Sequence, residues 1–296
     1  MKHHAKLLGI ALFGTVMALP ATRFATADIF DFLDEDKIAA LASETSGESA
    51  KRNLDHITQY HRMRASSEFR AASEHILTQL QSYGYDNAEI LEYPADGRTM
   101  FGTQKSRPAW EVEFAELWEL DSNGAKLRRM ANWEAQPLTV AQDSMSGHIT
   151  AALVDIGAGT SDADYAGKDL TGKLVLTSSQ PSAVADKAVG ELGAAGIVSY
   201  AQNQVTAWWK DDDSLIRWGH LETFSDVKTF GFMISLKEAR ALQHRLSTGE
   251  EILLRADIEA GHEESVHSSV TALIPGSDPA LAHAAIIYTC PLDHPP

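Results

Sequence analysis

Asp169-Leu170-Thr171-Gly172-Lys173-Leu174-Val175-Leu176 is answered further along by Gly193-Ala194-Ala195-Gly196-Ile197-Val198. In each half a glycine-bearing turn feeds an apolar run of strand length, the pattern of a strand covered on both faces. Residues 183–192 between them read as a helix. Gly190, Gly193 and Gly196 fall where that helix ends and the next strand begins, where glycine allows a sharp cap and a close helix–sheet approach. Further β runs at 152–155, 230–234 and 252–258, with a second helix at 236–246, extend the alternation. A compact α/β module over roughly this span is the expectation.

Upstream the texture is helical. Residues 30–42 and 46–63 have helical character, and 67–83 is the clearest case. Phe69, Ala72, Ile76, Leu80 and Tyr83 share one stripe there, and Gly84 is the stop. A strand at 88–93 runs into the turn Pro94-Ala95-Asp96-Gly97, and 110–114 alternates with period two. Downstream, residues 266–274 and 284–290 are apolar runs joined by Pro275-Gly276-Ser277-Asp278-Pro279. Both read as buried strands of a parallel or mixed sheet, and such strands need neighbours on their edges.

The first 27 residues read as a cleavable export signal. Lys2 and Lys6 form a basic start, residues 7–19 an apolar run, and Ala25-Thr26-Ala27 a small-x-small cleavage site. That run has 13 residues, short of the roughly 20 that a spanning helix needs. A secreted or periplasmic protein with no membrane segment after cleavage is expected. Loss of Lys2, Lys6 and Arg23 moves the formal charge from −16 to −19. Such a surface repels phosphate backbones, so nucleic acid is not an expected partner. Cys290 is the single cysteine, so no internal disulfide forms and packed cores must supply stability.

The 12 histidines invite a search for metal sites. His262-Glu263 and His267 are spaced H-E-x-x-x-H, one residue longer than the zincin H-E-x-x-H. On a helix, positions i and i+5 lie about 140° apart. This segment reads as a solvated linker entering a strand. His56 and His61 share the same offset, and His61-Arg62 reads instead as a helix terminus whose side chains meet the last carbonyls. Gly157-Ala158-Gly159 begins like a dinucleotide fingerprint, but Asp162 occupies the third glycine position. Neither a phosphate-binding loop nor a nucleophile elbow is present. Cys290 reads as a buried structural thiol. The loop Trp208-Trp209-Lys210 with Asp211, Asp212 and Asp213 reads as one that folds its tryptophans onto its own domain.

Three segments together resemble the M28 zinc aminopeptidases that carry an inserted protease-associated (PA) domain. The first is Ser46-Gly47-Glu48, Tyr60-His61-Arg62, Ser67 and Ala71-Ala72, continuing to Tyr83-Gly84. Pro94-Ala95-Asp96-Gly97, Phe101-Gly102-Thr103 and Ser106 through Pro108 to Trp110 extend it. The second is the 169–176 and 193–198 pattern with Lys187, which is similar to PA domains, non-catalytic lids or recognition modules. The third is Val270 to Pro279 followed by Ile286-Ile287-Tyr288-Thr289-Cys290.

In that family the last strand runs into H-x-D, whose histidine is a zinc ligand and whose aspartate orients the site. The matching positions here are Pro291, Leu292 and Asp293, followed by His294. The resemblance therefore carries over Asp293 alone as a catalytic-site residue. Pro291 stands at the ligand position and His294 is a weak substitute, three residues along a strand of period two. The implied fold class is α/β: a discontinuous zinc-peptidase-like domain, incomplete, with an inserted PA-type α/β domain. Its divisions are 1–27 signal, 28–130 leading peptidase part, 131–260 PA-like, and 261–296 first strands of the catalytic sheet. The implied reaction is release of N-terminal amino acids by a zinc-activated water, with zinc as the family's cofactor and none expected on this chain. Expected partners are peptide substrates or a complementary catalytic fragment. A truncated, inactive peptidase is the first reading; a PA-type binding module, or one part of a split peptidase, is the alternative.

Overall fold

The structure, a computed structural model, describes residues 34–201 and 212–294. The export signal, the first residues of the 30–42 helix, and Trp208, Trp209, Lys210 and Asp211 lie outside them. The chain divides into two units between Lys51 and Arg52. In the first, α1 (Glu35–Glu44) buries none of its residues. Helix α2 (Gly47–Ile57) leads into the second unit and ends well before residue 63.

Helix α3 (Ser67–Ser82) has the expected bounds because both ends are capped. Ser66 Oγ accepts the Phe69 N–H at 3.1 Å, and Gly84 adopts φ +91 as the stop. It packs on a two-stranded antiparallel sheet formed by β1 (Glu89–Ala95) and, from far along the chain, Ser265–Thr271. A small hairpin, β2 (Met100–Phe101) with β3 (Gln104–Lys105), follows.

The rest builds one seven-stranded mixed sheet. Its strands are β4 (Ala109–Leu120), β5 (Lys126–Asn132), β6 (Gly147–Asp155), β7 (Leu174–Thr177), β8 (Gly196–Ser199), β9 (Gly231–Met233) and β10 (Leu253–Glu263). Their spatial order is β5-β4-β10-β6-β7-β8-β9. The first four pair antiparallel and the last four, sharing β6, pair parallel. The strands β7 and β8 are buried at every residue. Helices cover both faces: Leu174, Leu176, Val198 and Phe232 pack with Ala239 and Leu242 of α6 (Leu236–Ser247) on one side. On the other, Val175 and Ile197 pack with Tyr165 of α4 (Asp162–Tyr165) and Val184 of α5 (Pro181–Ala185). A π-helical turn, Asp186–Glu191, continues α5. Each fully buried Leu, Ile or Val here contributes about 1.5–3 kcal/mol relative to exposure.

Phe230 explains two of the glycines. A Cβ at Gly147 would come within 2.5 Å of its ring, and a Cβ at Gly196 within 2.5 Å of the ring's other edge. The close approach expected at Gly196 is thus to an aromatic side chain of the neighbouring strand's lead-in, not to a helix.

The sheet runs from Ala109 to Glu263, with position 130/131 inside β5 and 260/261 inside β10; β10 is flanked by both β4 and β6 and loses one whole ladder without β4. One expectation needs correction: the two apolar runs near the end are not buried parallel strands. The first yields β11 (Ser265–Thr271), antiparallel to β1. The second forms no strand: Ile286, Ile287 and Tyr288 are 83%, 81% and 90% exposed. A β-type sequence cannot form a ladder without a neighbouring strand, and none of the described residues supplies one. No helix among the described residues is long and apolar enough to cross a membrane.

Candidate functional site

The segment carrying Pro291, Asp293 and His294 is held by two arginines. The Arg62 N–H donates to His294 O at 3.2 Å, and the His294 N–H donates to Arg62 O at 3.1 Å. The buried Arg62 guanidinium donates from Nε to Leu292 O at 3.1 Å. From Nη1 it donates to Ile57 O at 2.6 Å and Tyr60 O at 2.8 Å. It therefore caps the end of α2 and straps the 292–294 segment at once, the helix-terminus role expected for this position. Arg64 Nε lies 3.0 Å from Asp293 Oδ2.

A zinc centre needs three or four N, O or S donors. Pro291 offers none, Asp293 is paired with Arg64, and no three His, Cys, Asp or Glu among the described residues converge on one point. The residues present do not fit a zinc ion. Cys290 is exposed, contrary to the buried thiol expected, because the run preceding it has no sheet to enter.

The other candidates are dispersed. His262 sits on β10 and is partly buried, not on a solvated linker, and Nε2 lies 2.6 Å from Asp143 Oδ1. Thr223 Oγ1 donates to the other carboxylate oxygen at 2.9 Å. Asp143 has φ +64, so this pairing pins a strained loop to the sheet. His267 lies on β11 opposite Tyr93, and burial beside Arg64 pushes its imidazole down. Glu263 ends β10. Gly159, at φ +63, leaves room that a Cβ would take from Ile156 and Val184, so this glycine serves packing, while Gly157 at φ +59 has open space around it. His56 stacks on His75 at 3.9 Å.

What the sequence did not disclose is a cleft of about 540 Å³ between the chain after α2 and the β4–β5 ribbon. Its walls include His61, Glu68, Glu113, Phe114, Arg129, Trp133 and Glu134. His61 meets Trp133 edge-on at 4.7 Å, and Trp133 meets Trp110 at 5.8 Å. The Trp110 Nε1–H donates to Ser144 O at 2.7 Å, which fixes that aromatic stack. Only 7% exposed, His61 has no hydrogen-bond partner for Nδ1. Burial, then the nearby Arg62 charge, push its pKa down to about 4. The imidazole is neutral at ordinary pH. Glu68 accepts the His61 backbone N–H. Glu111, next along β4, accepts the Ser67 N–H at 2.5 Å at the start of α3, and burial raises its carboxyl.

No family model and no curated protein matches the chain. Solved structures do. A peptidase M28 precursor from Shewanella amazonensis SB2B is similar with TM-score 0.52 and 17% identity, over 80% of this chain and 52% of that one. An aminopeptidase from Aneurinibacillus sp. strain AM-1 is similar with TM-score 0.44 and 25% identity, over 80% of this chain and 50% of that one. BSAP, a zinc aminopeptidase from Bacillus subtilis, is similar with TM-score 0.47 and 16% identity, over 75% and 46%. The chain thus spans about half the length of the structures it resembles. The Shewanella likeness speaks to the α/β fold.

Proposed function

We propose that this chain is the PA-bearing portion of an exported M28-type aminopeptidase and is inactive in peptide hydrolysis by itself. The seven-stranded sheet is the PA-type domain on this reading. The α3 layer with β1 and β11 belongs to the peptidase domain, of which residues 284–294 are a further part. One observation carries it: Ile286, Ile287 and Tyr288, apolar and strand-like, are 81–90% exposed immediately before Asp293. Burying such a run needs a sheet neighbour from another polypeptide segment. The fold likeness to an M28 peptidase precursor over half its length supports the same reading. Zinc, peptide substrates and N-terminal cleavage belong to the completed assembly, and the acidic surface disfavours nucleic acid.

The test is hydrolysis of aminoacyl-anilides by the purified chain with added zinc. No turnover above background is expected; zinc-dependent turnover abolished by EDTA would sink the proposal. A second reading, a PA-type binding module that acts without catalysis, is favoured by the sheet's own two-sided core. It predicts a stable chain that never acquires activity when candidate complementary peptidase segments are added.

A further inference from the structure

We infer that the cleft at His61, Trp133, Glu113 and Glu134 binds a positively charged group of a peptide, a guanidinium or an ammonium. Four independent features converge there.

The first is charge. Glu113 and Glu134 line the cleft, and neither pairs with any described cation. Arg129, the one basic residue in the wall, is engaged by Glu116 at 3.2 Å. Lys126 and Asn132 also lie on Glu116. The cleft therefore presents net negative charge that its own residues leave uncompensated.

Backbone geometry is the second. In the β4–β10 ladder Glu259 opposes Phe114 and Ala260 opposes Val112, so Glu113 is the extra residue of a β-bulge. A bulge departs from the pleat and re-aims a side chain, and bulges concentrate beside binding sites. The neighbouring β4–β5 ladder is also irregular between Leu117 and Trp118.

Third, Trp133 is partly exposed and forms an aromatic wall with His61. An organic cation over an indole face is attracted by the ring's quadrupole, more strongly as water is excluded. Fourth, the buried His61 leaves Nδ1 unbonded. A buried polar atom without a partner is costly, and a ligand donor that reaches it recovers that cost. The neutral ring accepts such a donor without electrostatic repulsion. At about 540 Å³ the cleft accommodates one long side chain with its flanking backbone.

This inference does not rest on the peptidase reading, since it concerns binding by the chain as it stands. Calorimetric titration with N-acetylated, C-amidated Ala-Arg-Ala and its citrulline analogue tests it. The arginine peptide should bind at least about ten-fold tighter than the citrulline peptide, and weaken as salt rises. The double variant Glu113→Gln/Glu134→Gln should lose at least about ten-fold, and Glu222→Gln, elsewhere on the surface, nothing. A Lys peptide and a tripeptide with a free N-terminus show which cation is preferred. Equal binding of citrulline and arginine peptides, an unaffected double variant, or no heat up to about 10 mM peptide would each overturn it.

Discussion

Arg64 holds Asp293, the aspartate singled out by the sequence resemblance, at 3.0 Å from Nε to Oδ2. Both side chains are more than a third exposed, so the pair is worth under about 1 kcal/mol. Arg62, two residues earlier, is buried and donates to three carbonyls. Asp293→Ala should therefore shift the urea midpoint little. Arg62→Ala should cost about 2–3 kcal/mol by stranding those acceptors. Equal effects would show that the strap does not depend on the buried guanidinium.

His61 makes stability depend on pH in a defined direction. Its folded pKa of about 4 lies below the ordinary 6.5, so the unfolded chain binds more protons in between. The stabilising contribution is complete above about pH 6.5 and falls as pH drops toward 4. For this residue alone the loss from pH 7 to pH 5 is about 2 kcal/mol. The stability gap between the chain and His61→Leu should change by that amount between the two pH values. A constant gap would show that the imidazole is not desolvated in the fold.

Gly196→Ala places a methyl within 2.5 Å of the Phe230 ring on a strand buried at every residue. A core side chain forced to move costs about 1–3 kcal/mol. Gly172→Ala has open space around its Cβ, though its φ of +67 carries backbone strain of its own. Gly47→Ala, with open space and no positive φ, is the neutral comparison. Thermal melts should rank Gly196→Ala well below Gly47→Ala.

The sheet limits are testable by expression of segments. Residues 109–263 contain every strand of the seven-stranded sheet and should melt cooperatively. Residues 131–260 lack β4 and most of β5, leave one edge of β10 bare, and should give a broad, non-cooperative profile. Cooperative melting of the shorter segment would restore the narrower domain.

Strands and helices between residues 147 and 263 were readable because each apolar run is bounded by turn residues and is buried by local crossovers. The strand at 174–177 and helix at 236–247 came within a residue or two. The helix expected over 46–63 ends at Ile57 because Arg62, a good helix residue, turns back to cap the carbonyl of Ile57 instead of continuing the helix. The 284–290 run forms no strand because apolar content reports what a strand wants, not whether a neighbour exists. The cleft escaped for a related reason. His61, Glu113 and Trp133 are far apart in sequence, and the bulge that turns Glu113 out of the pleat leaves no periodic trace. Arg64 and Asp293 lie likewise on distant segments, which the Arg62–His294 bridge and the Arg62 bond to Leu292 O bring together.

Phe230 between Gly147 and Gly196 also sets a rule for sequence drift. The ring takes the volume that two side chains would otherwise fill on two different strands, so the three positions cannot vary one at a time. A descendant with alanine at either glycine needs a smaller residue at 230 in the same lineage. One with leucine or valine at 230 frees Gly147 to acquire a side chain, while Gly196 still has Leu174 3.1 Å from any added Cβ. In relatives of this protein the three sites should change together or not at all.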